Sequence, residues 1–314
     1  MNWDDLRMFL AVARGESLAR AGRMLRVDAA TVGRRISRLE RALGVRLFLR
    51  SQQGYALTEA GERLFDRAVA AERAMEGAVA GVRAGEEGLT GTVRIGAPDG
   101  CANYVLPRIT RRIAAANPGL TIQILALPRV FNLSRREADM AITVSPPEAG
   151  RLVVQKITPY HLHLVASEEW LATHGPIESR ADLAGHRVVG YIPDMIFDRE
   201  LDYLDVIGPD IRPDLASNSV PVQLAWLSEG GGIGIAHDFA LPCFPRLRRI
   251  LPAEIALERH FYLVRHADDR LSERDNRLAA LIADGIRAEI ARLEAQVARA
   301  EALARAAGPG IRPL

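Results

Sequence analysis

Between Asp28 and Leu43 the chain reads DAATVGRRISRLERAL. Val32, Ile36, Leu39 and Leu43 recur at steps of four, three and four, the apolar stripe of an amphipathic helix. Asp28 is placed to cap it, because a short carboxylate can accept the unpaired amides of a first turn. Ala30, Arg34, Ser37, Arg38 and Arg41 fall on the opposite face, with Thr31 and Arg35 on a flank. One side is built for a core; the other is small at its start and cationic after that.

The neighbouring pattern gives this helix a context. Trp3–Ala13 predicts a first helix with Leu6, Phe9, Leu10 and Ala13 on one side. Ser17 caps a short second helix, Leu18–Leu25, and Arg26-Val27 turn the chain into the third. Two helices joined by a tight turn, the second with a basic outer face, form a helix-turn-helix pattern. After Gly44, the runs Val45–Arg50 and Tyr55–Leu57 flank Ser51-Gln52-Gln53-Gly54, which predicts a wing hairpin with Arg50 and the two glutamines at its tip. Thr58 then caps a helix whose Leu64, Ala68, Ala71, Met75, Ala78 and Val82 alternate at four and three, a heptad seam suited to dimerisation. A single helix lying on its own domain has the same spacing.

From Thr92 the texture changes to short β-rich runs alternating with helical stretches, which predicts an α/β fold with parallel strands. Strands are expected at Thr92–Ala97, Leu120–Leu127, Met140–Val144, Val153–Ile157, His161–Ser167, Arg187–Tyr191, Asp214–Asn218, Ile233–Ala236 and His260–Val264. Helices are expected at Asn103–Ala116, Leu133–Glu137, Glu168–Thr173, Val220–Ser228 and from Ser272 to Ala306.

Charge sharpens this division. Residues 1–58 hold eleven arginines and five acidic groups, net +6, so within an overall charge of +2 the remainder is about −4. The basic end is the candidate for a polyanion partner. Arginine outnumbers lysine forty to one throughout, a bias too general to mark a site. Cys101 and Cys243 make neither a disulfide framework nor a zinc site. The amino terminus lacks the form of a signal peptide and no apolar run reaches the ~18 residues of a membrane span, so a cytoplasmic protein without a membrane partner is expected. His161 and His163 share a strand face but lack a nearby third ligand, so no metal is expected. The glycines around Gly230–Gly234 precede a strand and lack the lysine of a phosphate loop. No catalytic set or cofactor motif emerges, so an enzyme is not expected, and Pro245–Arg249 reads as a solvated basic loop.

Taken in order, the run LRMFLAVARGESLARAGRML, the motif from Arg34 to Phe48, Leu57–Gly61, NLSRREADMAI at Asn132–Ile142 and GGIGIA at Gly231–Ala236 resemble the LysR-type transcriptional regulators over essentially the whole chain. The resemblance implies a winged helix-turn-helix DNA-binding domain (1–58), a dimerising linker helix (59–88), a two-lobed α/β effector domain like periplasmic binding proteins (89–300) and a carboxyl-terminal extension (301–314). Lobe one would span 91–161 and 266–300, lobe two 162–265, with crossovers near Pro159–His161 and Arg265–Ala267. It also implies homodimers that pair into tetramers, double-stranded promoter DNA as partner, and a small-molecule effector between the lobes. A transport solute-binding protein is the alternative that the second half alone would fit.

Two departures from the family set this chain apart. Its recognition helices often open Ser-Gln-Pro-Ala-Leu-Ser-Arg, where Asp28 to Arg34 stand here. Base reading is therefore expected from Thr31, Arg34, Arg35 and Arg38, with methyl contacts from Ala29 and Ala30 and support from Arg50, Gln52 and Gln53 in the wing. After the first effector-domain strand the family often has Ser-Pro-Thr, whose hydroxyls help bind a carboxylate; Pro98, Asp99 and Gly100 replace them. A carboxylate there disfavours an anionic ligand, so a neutral, hydroxylated or partly cationic effector is expected. The candidate contacts are Asp99, Gly100, Asn103, Ser145, Ser217, Asn218 and Ser219, the last as a helix cap; Asp99 fits equally as a cap of the helix that follows it.

Overall fold

The computed structural model describes residues 2–51, 54–83, 88–126, 138–147, 151–208, 211–267 and 272–307. The chain divides into two compact units, Met1–Glu87 and Gly88–Leu314.

The first unit contains α1 (Trp3–Gly15), α2 (Leu18–Leu25), α3 (Ala29–Leu43), the hairpin strands β1 (Phe48–Ser51) and β2 (Gly54–Leu57), and α4 (Glu59–Arg83). Side-chain caps start each of the first three helices. Asn2 accepts from Asp5 N at 2.9 Å, Ser17 from Arg20 N at 3.5 Å and Asp28 from Thr31 N at 2.7 Å. Between α2 and α3, Arg26 takes a left-handed conformation and Val27 N donates to Gly22 O at 2.9 Å. A Cβ on Gly22 would lie 2.6 Å from the Val27 carbonyl, so this turn requires glycine. Gly44 ends α3 with φ +71°, as a left-handed C-terminal residue does. Val32, Ile36 and Leu39 of the α3 stripe meet Phe9, Leu10 and Val12 of α1 in one core, which Leu47 and Phe48 of the wing and Phe65, Ala68 and Val69 of α4 complete; Leu43, in the last turn of the stripe, is exposed.

That packing divides the α4 seam. Ala68 is buried within its own unit and Leu64 lies against the same core, whereas Ala71 and Met75 are exposed. Among the described positions of the pattern, Ala71 and Met75 are open to a partner helix; the side chains of Ala78 and Val82 lie outside the described residues.

Among the described residues, the second unit is built on a nine-stranded mixed sheet. Its elements are β3 (Gly91–Ala97), α5 (Asp99–Tyr104), α6 (Leu106–Ala116), β4 (Leu120–Ala126), β5 (Met140–Thr143), β6 (Leu152–Ser167), α7 (Glu168–His174), β7 (Val188–Gly190), β8 (Leu215–Ala216), α8 (Val220–Ser228), β9 (Ile233–His237), β10 (Leu247–Arg249), β11 (Ala256–His266) and α9 (Glu273–Ala307). The strand order is β4-β3-β5-β11-β6-β9-β7-β8, with β10 pairing β6. β3 runs parallel to β4 and β5 in lobe one, and β7 runs parallel to β8 and β9 in lobe two. The antiparallel pair β6 and β11 passes through both lobes.

Several elements differ from the sequence expectation. The two strands expected on either side of Pro159 are one strand, β6, because a register shift opposite Phe261 and Tyr262 accommodates the interruption. β11 joins lobe one from Tyr262, where it pairs Thr143 of β5. The helix expected at Asn103–Ala116 is two, broken at Val105 just before Pro107 of α6. The basic run ending at Arg249 is not a solvated loop: β10 pairs β6 and Leu247 is buried. The short helix at Leu133–Glu137 lies outside the described residues.

α9 buries Leu278, Ile282, Ile286, Ile290 and Leu293 along one face. It continues unbroken past residue 300, and both guanidinium nitrogens that Arg249 directs at Glu301 are hydrogen-bonded to it. Asp238 accepts from the same guanidinium at 3.0 Å and from His163 at 2.8 Å. α9 thus runs on to Ala307, while 308–314 lie outside the described residues.

Candidate functional site

In the first unit the outer face of α3 and the wing enclose a cleft of about 560 Å³ lined by Thr31, Arg34, Arg35, Arg38, Arg41, Arg50 and Tyr55, among others. Arg34, the pair Arg35 and Arg38, and Arg50 are oriented by three different devices. Asp28 Oδ2 accepts from Thr31 Oγ1 at 2.6 Å, and Thr31 Oγ1 accepts from Arg34 Nη2 at 2.8 Å. The helix cap thereby extends into a chain that fixes the first arginine of the face. Asp28 consequently titrates below the usual carboxylate range, mainly through the Thr31 hydroxyl and amide.

Arg35 and Arg38 converge on Asp5, a carboxylate of α1 that is almost completely buried. Arg35 donates to Asp5 Oδ1 at 3.3 Å, and Arg38 Nη2 donates to the same oxygen. Burial pushes the Asp5 carboxyl up, but the hydrogen bonds and charge of Arg38 and Arg35 outweigh it and hold it below its ordinary value. Arg38 remains about half exposed, so the pair orients its guanidinium without withdrawing it from solvent.

Arg50 sits on β1 opposite Tyr55 and lies 5.7 Å from the centre of its ring, a cation–π arrangement. Its guanidinium is also 3.7 Å from Glu40 of α3. Glu40 is buried and its Oε1 accepts Leu47 N at 2.8 Å and Phe48 N at 3.3 Å, so one carboxylate joins the helix to the wing. Ala30 is exposed and Ala29 half-buried on the same helix. Gln52 and Gln53 lie outside the described residues.

Sequence reasoning assembled the arginines but missed Asp5, Glu40 and Tyr55. Tyr55 is the cross-strand partner of Arg50 and could have been found from the hairpin register. Nothing in sequence spacing connects Asp5 with residues thirty positions on.

In the second unit the expected effector contacts meet across the two lobes. Asp99 begins α5, but the cap residue of that helix is Pro98, without a side-chain bond. Asp99 instead caps α8 of the other lobe: its Oδ2 accepts from Ser219 Oγ at 2.9 Å and Val220 N at 2.9 Å. Ser219 holds the N-cap position of α8 but makes no side-chain cap bond there, because its hydroxyl donates to Asp99. Asn103 Nδ2 donates to Asp99 Oδ1 at 2.7 Å. Ser145, beyond β5, donates to Asp198 of lobe two. Ser217 Oγ accepts from Ser219 N at 3.1 Å, Asn218 is half-buried and Gly100 is buried.

Under this junction lies an aromatic cluster the sequence did not suggest. Tyr160 stacks on Phe261 with ring centres 4.2 Å apart and lies 5.8 Å from His237; Tyr203 is 6.1 Å from His237 and 5.9 Å from Tyr191. Burial drives the Tyr160 and Tyr203 phenols well above their ordinary value and the His237 imidazole down to about 4, so all three are neutral at physiological pH. Cys101 is buried and its thiol is raised by burial, which makes it unreactive as a thiolate; Cys243 is exposed. His163 bonds Asp238 and His161 bonds Glu294, and no cluster suited to a metal occurs among the described residues.

Two family models match the chain: the lysR-family bacterial regulatory helix-turn-helix protein over residues 3–62 and the LysR substrate binding domain over 86–287. The regulator CrgA of Neisseria meningitidis is 27% identical over 241 residues, 76% of this chain and 80% of that protein. The regulator DmlR of Escherichia coli is 27% identical over 247 residues, 74% and 76% of the two chains. Among solved structures, CrgA aligns with a TM-score of 0.57 at 23% identity over 91% of this chain and 99% of its own. A full-length OxyR variant from Pseudomonas aeruginosa aligns at 0.67 and 18% identity, over 91% and 95%. These relatives are transcriptional regulators, not solute-binding proteins of transport. With a winged helix-turn-helix at one end and a two-lobed α/β effector domain at the other, the chain belongs to the LysR family of DNA-binding transcriptional regulators.

Proposed function

We propose that this regulator binds promoter DNA by laying α3 in the major groove and the β1–β2 wing on the adjacent backbone, and that a small molecule bound between the lobes of the second unit adjusts that binding. Arg34 and Thr31 read base edges, Ala29 and Ala30 offer methyl contacts, and Arg35, Arg38 and Arg50 grip phosphates and guanine edges, with Gln52 and Gln53 at the wing tip. The observation that carries this reading is the cleft along α3, where Arg34, Arg35, Arg38 and Arg50 are each oriented by a protein partner. Orientation before contact lowers the ordering cost of binding.

The protein works as a homodimer joined through α4, whose Ala71 and Met75 are exposed, with dimers pairing into tetramers. Its place is the cytoplasm, with the DNA. No helix among the described residues is long and apolar enough to cross a membrane. Its action is binding without catalysis. Fluorescence anisotropy of the full chain on DNA from upstream of its own gene, with wild type and Arg34→Ala, tests the reading. Loss of sequence preference in the variant supports it, and unchanged affinity and preference overturn the assignment.

A further inference from the structure

Asp99 does between the lobes what a bound anion would do. The first amide of α8, Val220 N–H, and the Ser219 hydroxyl both donate to its Oδ2. A helix N-terminus with free donors favours negative charge, and here that charge comes from the protein itself. Ser145 and Asp198 repeat the arrangement in the opposite sense, with the hydroxyl on lobe one and the carboxylate on lobe two.

The groups beneath are left unmatched. Tyr160 Oη, Tyr203 Oη and His237 Nδ1 are buried without a hydrogen-bond partner. His237 lies directly under the junction: a Cβ built on Gly100 would stand 3.7 Å from its ring and 3.6 Å from Val220. Buried polar groups are almost always paired in native proteins, so three in one cluster mark a place where something else supplies the partners. Among the described residues, the charged groups acting on these two phenols and the imidazole are Asp198 and Glu200 between β7 and β8, Asp238 after β9, and Arg259 of β11; Asp99 of α5 acts on the neighbouring Tyr191. Arg259 is itself paired with Glu200 at 2.5 Å. Asp238 is likewise paired with Arg249 at 3.0 Å, whereas Asp99 and Asp198 accept from the serine hydroxyls at the junction.

We propose that Asp99 fills the anion-accepting position at the α8 N-terminus as a built-in counter-ligand, so that the interlobe site selects effectors without negative charge, whose hydroxyl or amine donors engage Asp99 and whose acceptors satisfy Tyr160, Tyr203 and His237. This rests on the interlobe effector reading of the proposed function and adds the ligand's chemical class. Binding opens the Asp99–Ser219 and Ser145–Asp198 contacts and replaces them with contacts to the ligand.

Three probes that share one ring separate the possibilities: benzoate, benzyl alcohol and benzylamine, titrated calorimetrically into the full chain and into Asp99→Ser. The wild type is expected to favour benzylamine and benzyl alcohol over benzoate. In Asp99→Ser the vacated amide and hydroxyl accept an anion, so benzoate tightens at least tenfold while benzylamine weakens. Asp99→Asn, which keeps the side-chain shape, shows the same trend in smaller measure and guards against a folding defect, which thermal melts also report. Equal benzoate affinity in wild type and both variants, including no binding to any of them, overturns the proposal. Retention of all three proteins on upstream DNA is measured in parallel; its failure in the wild type contradicts the regulator reading whatever the probes do.

Discussion

Asp5, in the first turn of α1, holds Arg38 on the exposed face of α3 through a single carboxylate oxygen, and Arg35 shares that oxygen. A buried group on one helix thus sets the direction of two cations on another. Asp5→Asn removes the charge and keeps the shape. Hydrogen bonds to charged groups are worth about 1.5–3 kcal/mol, so the variant's first unit is expected to lose stability on that order in urea unfolding. Affinity for a random duplex holds or rises, because the unit gains one net positive charge, while the preference for upstream DNA falls. An unchanged preference contradicts a positioning role for Asp5.

Arg34 and Arg50 are expected to fail differently. Arg34→Ala costs about 1–3 kcal/mol on upstream DNA and little on a scrambled duplex, as loss of a base contact does. Arg50→Ala weakens both duplexes alike and reduces the slope of log K against log salt by about 0.9, the release from one phosphate. Anisotropy titrations at several salt concentrations distinguish the two; identical behaviour of the variants contradicts the division of labour.

Glu40 joins recognition helix and wing by accepting Leu47 N and Phe48 N. Glu40→Ala leaves two amides without their acceptor and is expected to cost about 1–3 kcal/mol. Hydrogen exchange at Leu47 and Phe48 should accelerate while exchange in α1 and the middle of α3 stays slow. Uniform acceleration across the unit indicates global unfolding and contradicts a local coupling.

His237 makes stability of the second unit depend on pH. Burial lowers its folded pKa to about 4, against 6.5 when exposed. Between these values the unfolded chain binds the proton and the folded chain does not, so the unfolded state gains as pH falls. The contribution is constant above about pH 6.5, is lost on acidification between 6.5 and 4 at about 1.4 kcal/mol per pH unit, and levels off below. Denaturant midpoints measured across this range should flatten in His237→Phe; an unaltered pH slope in that variant contradicts the assignment.

The elements that were legible in the sequence share a strong local signal. Asp28 to Leu43 combined a cap, a stripe and a terminal glycine, and α3 occupies Ala29–Leu43 as those signals imply. α2 and α8 also occupy the expected residues, Leu18–Leu25 and Val220–Ser228. β6 was harder, because Pro159 normally interrupts a strand and only the tertiary pairing with β11, bulge included, carries the chain through it. β10 was hidden because arginines dominate its composition, yet Arg246, Arg248 and Arg249 each find carboxylates in the fold. At the sites the cations were legible and their positioning partners were not: Asp5 and Glu40 read as ordinary helical acids until the packing brought them to Arg38 and Leu47. The role of Asp99 was legible in part. Its charge argued against an anionic ligand, but that it caps the helix of the opposite lobe follows only from the topology.

The account rests on sequence-selective DNA binding through the α3 face. Its most direct test is anisotropy of the full chain at physiological salt on a labelled duplex from upstream of its own gene, competed with a scrambled duplex of equal length and composition. The upstream DNA is expected to be held at least a hundredfold more tightly, within the range typical of specific regulators, and Arg34→Ala to remove most of that difference. Equal competition by the two duplexes in the wild type would contradict it.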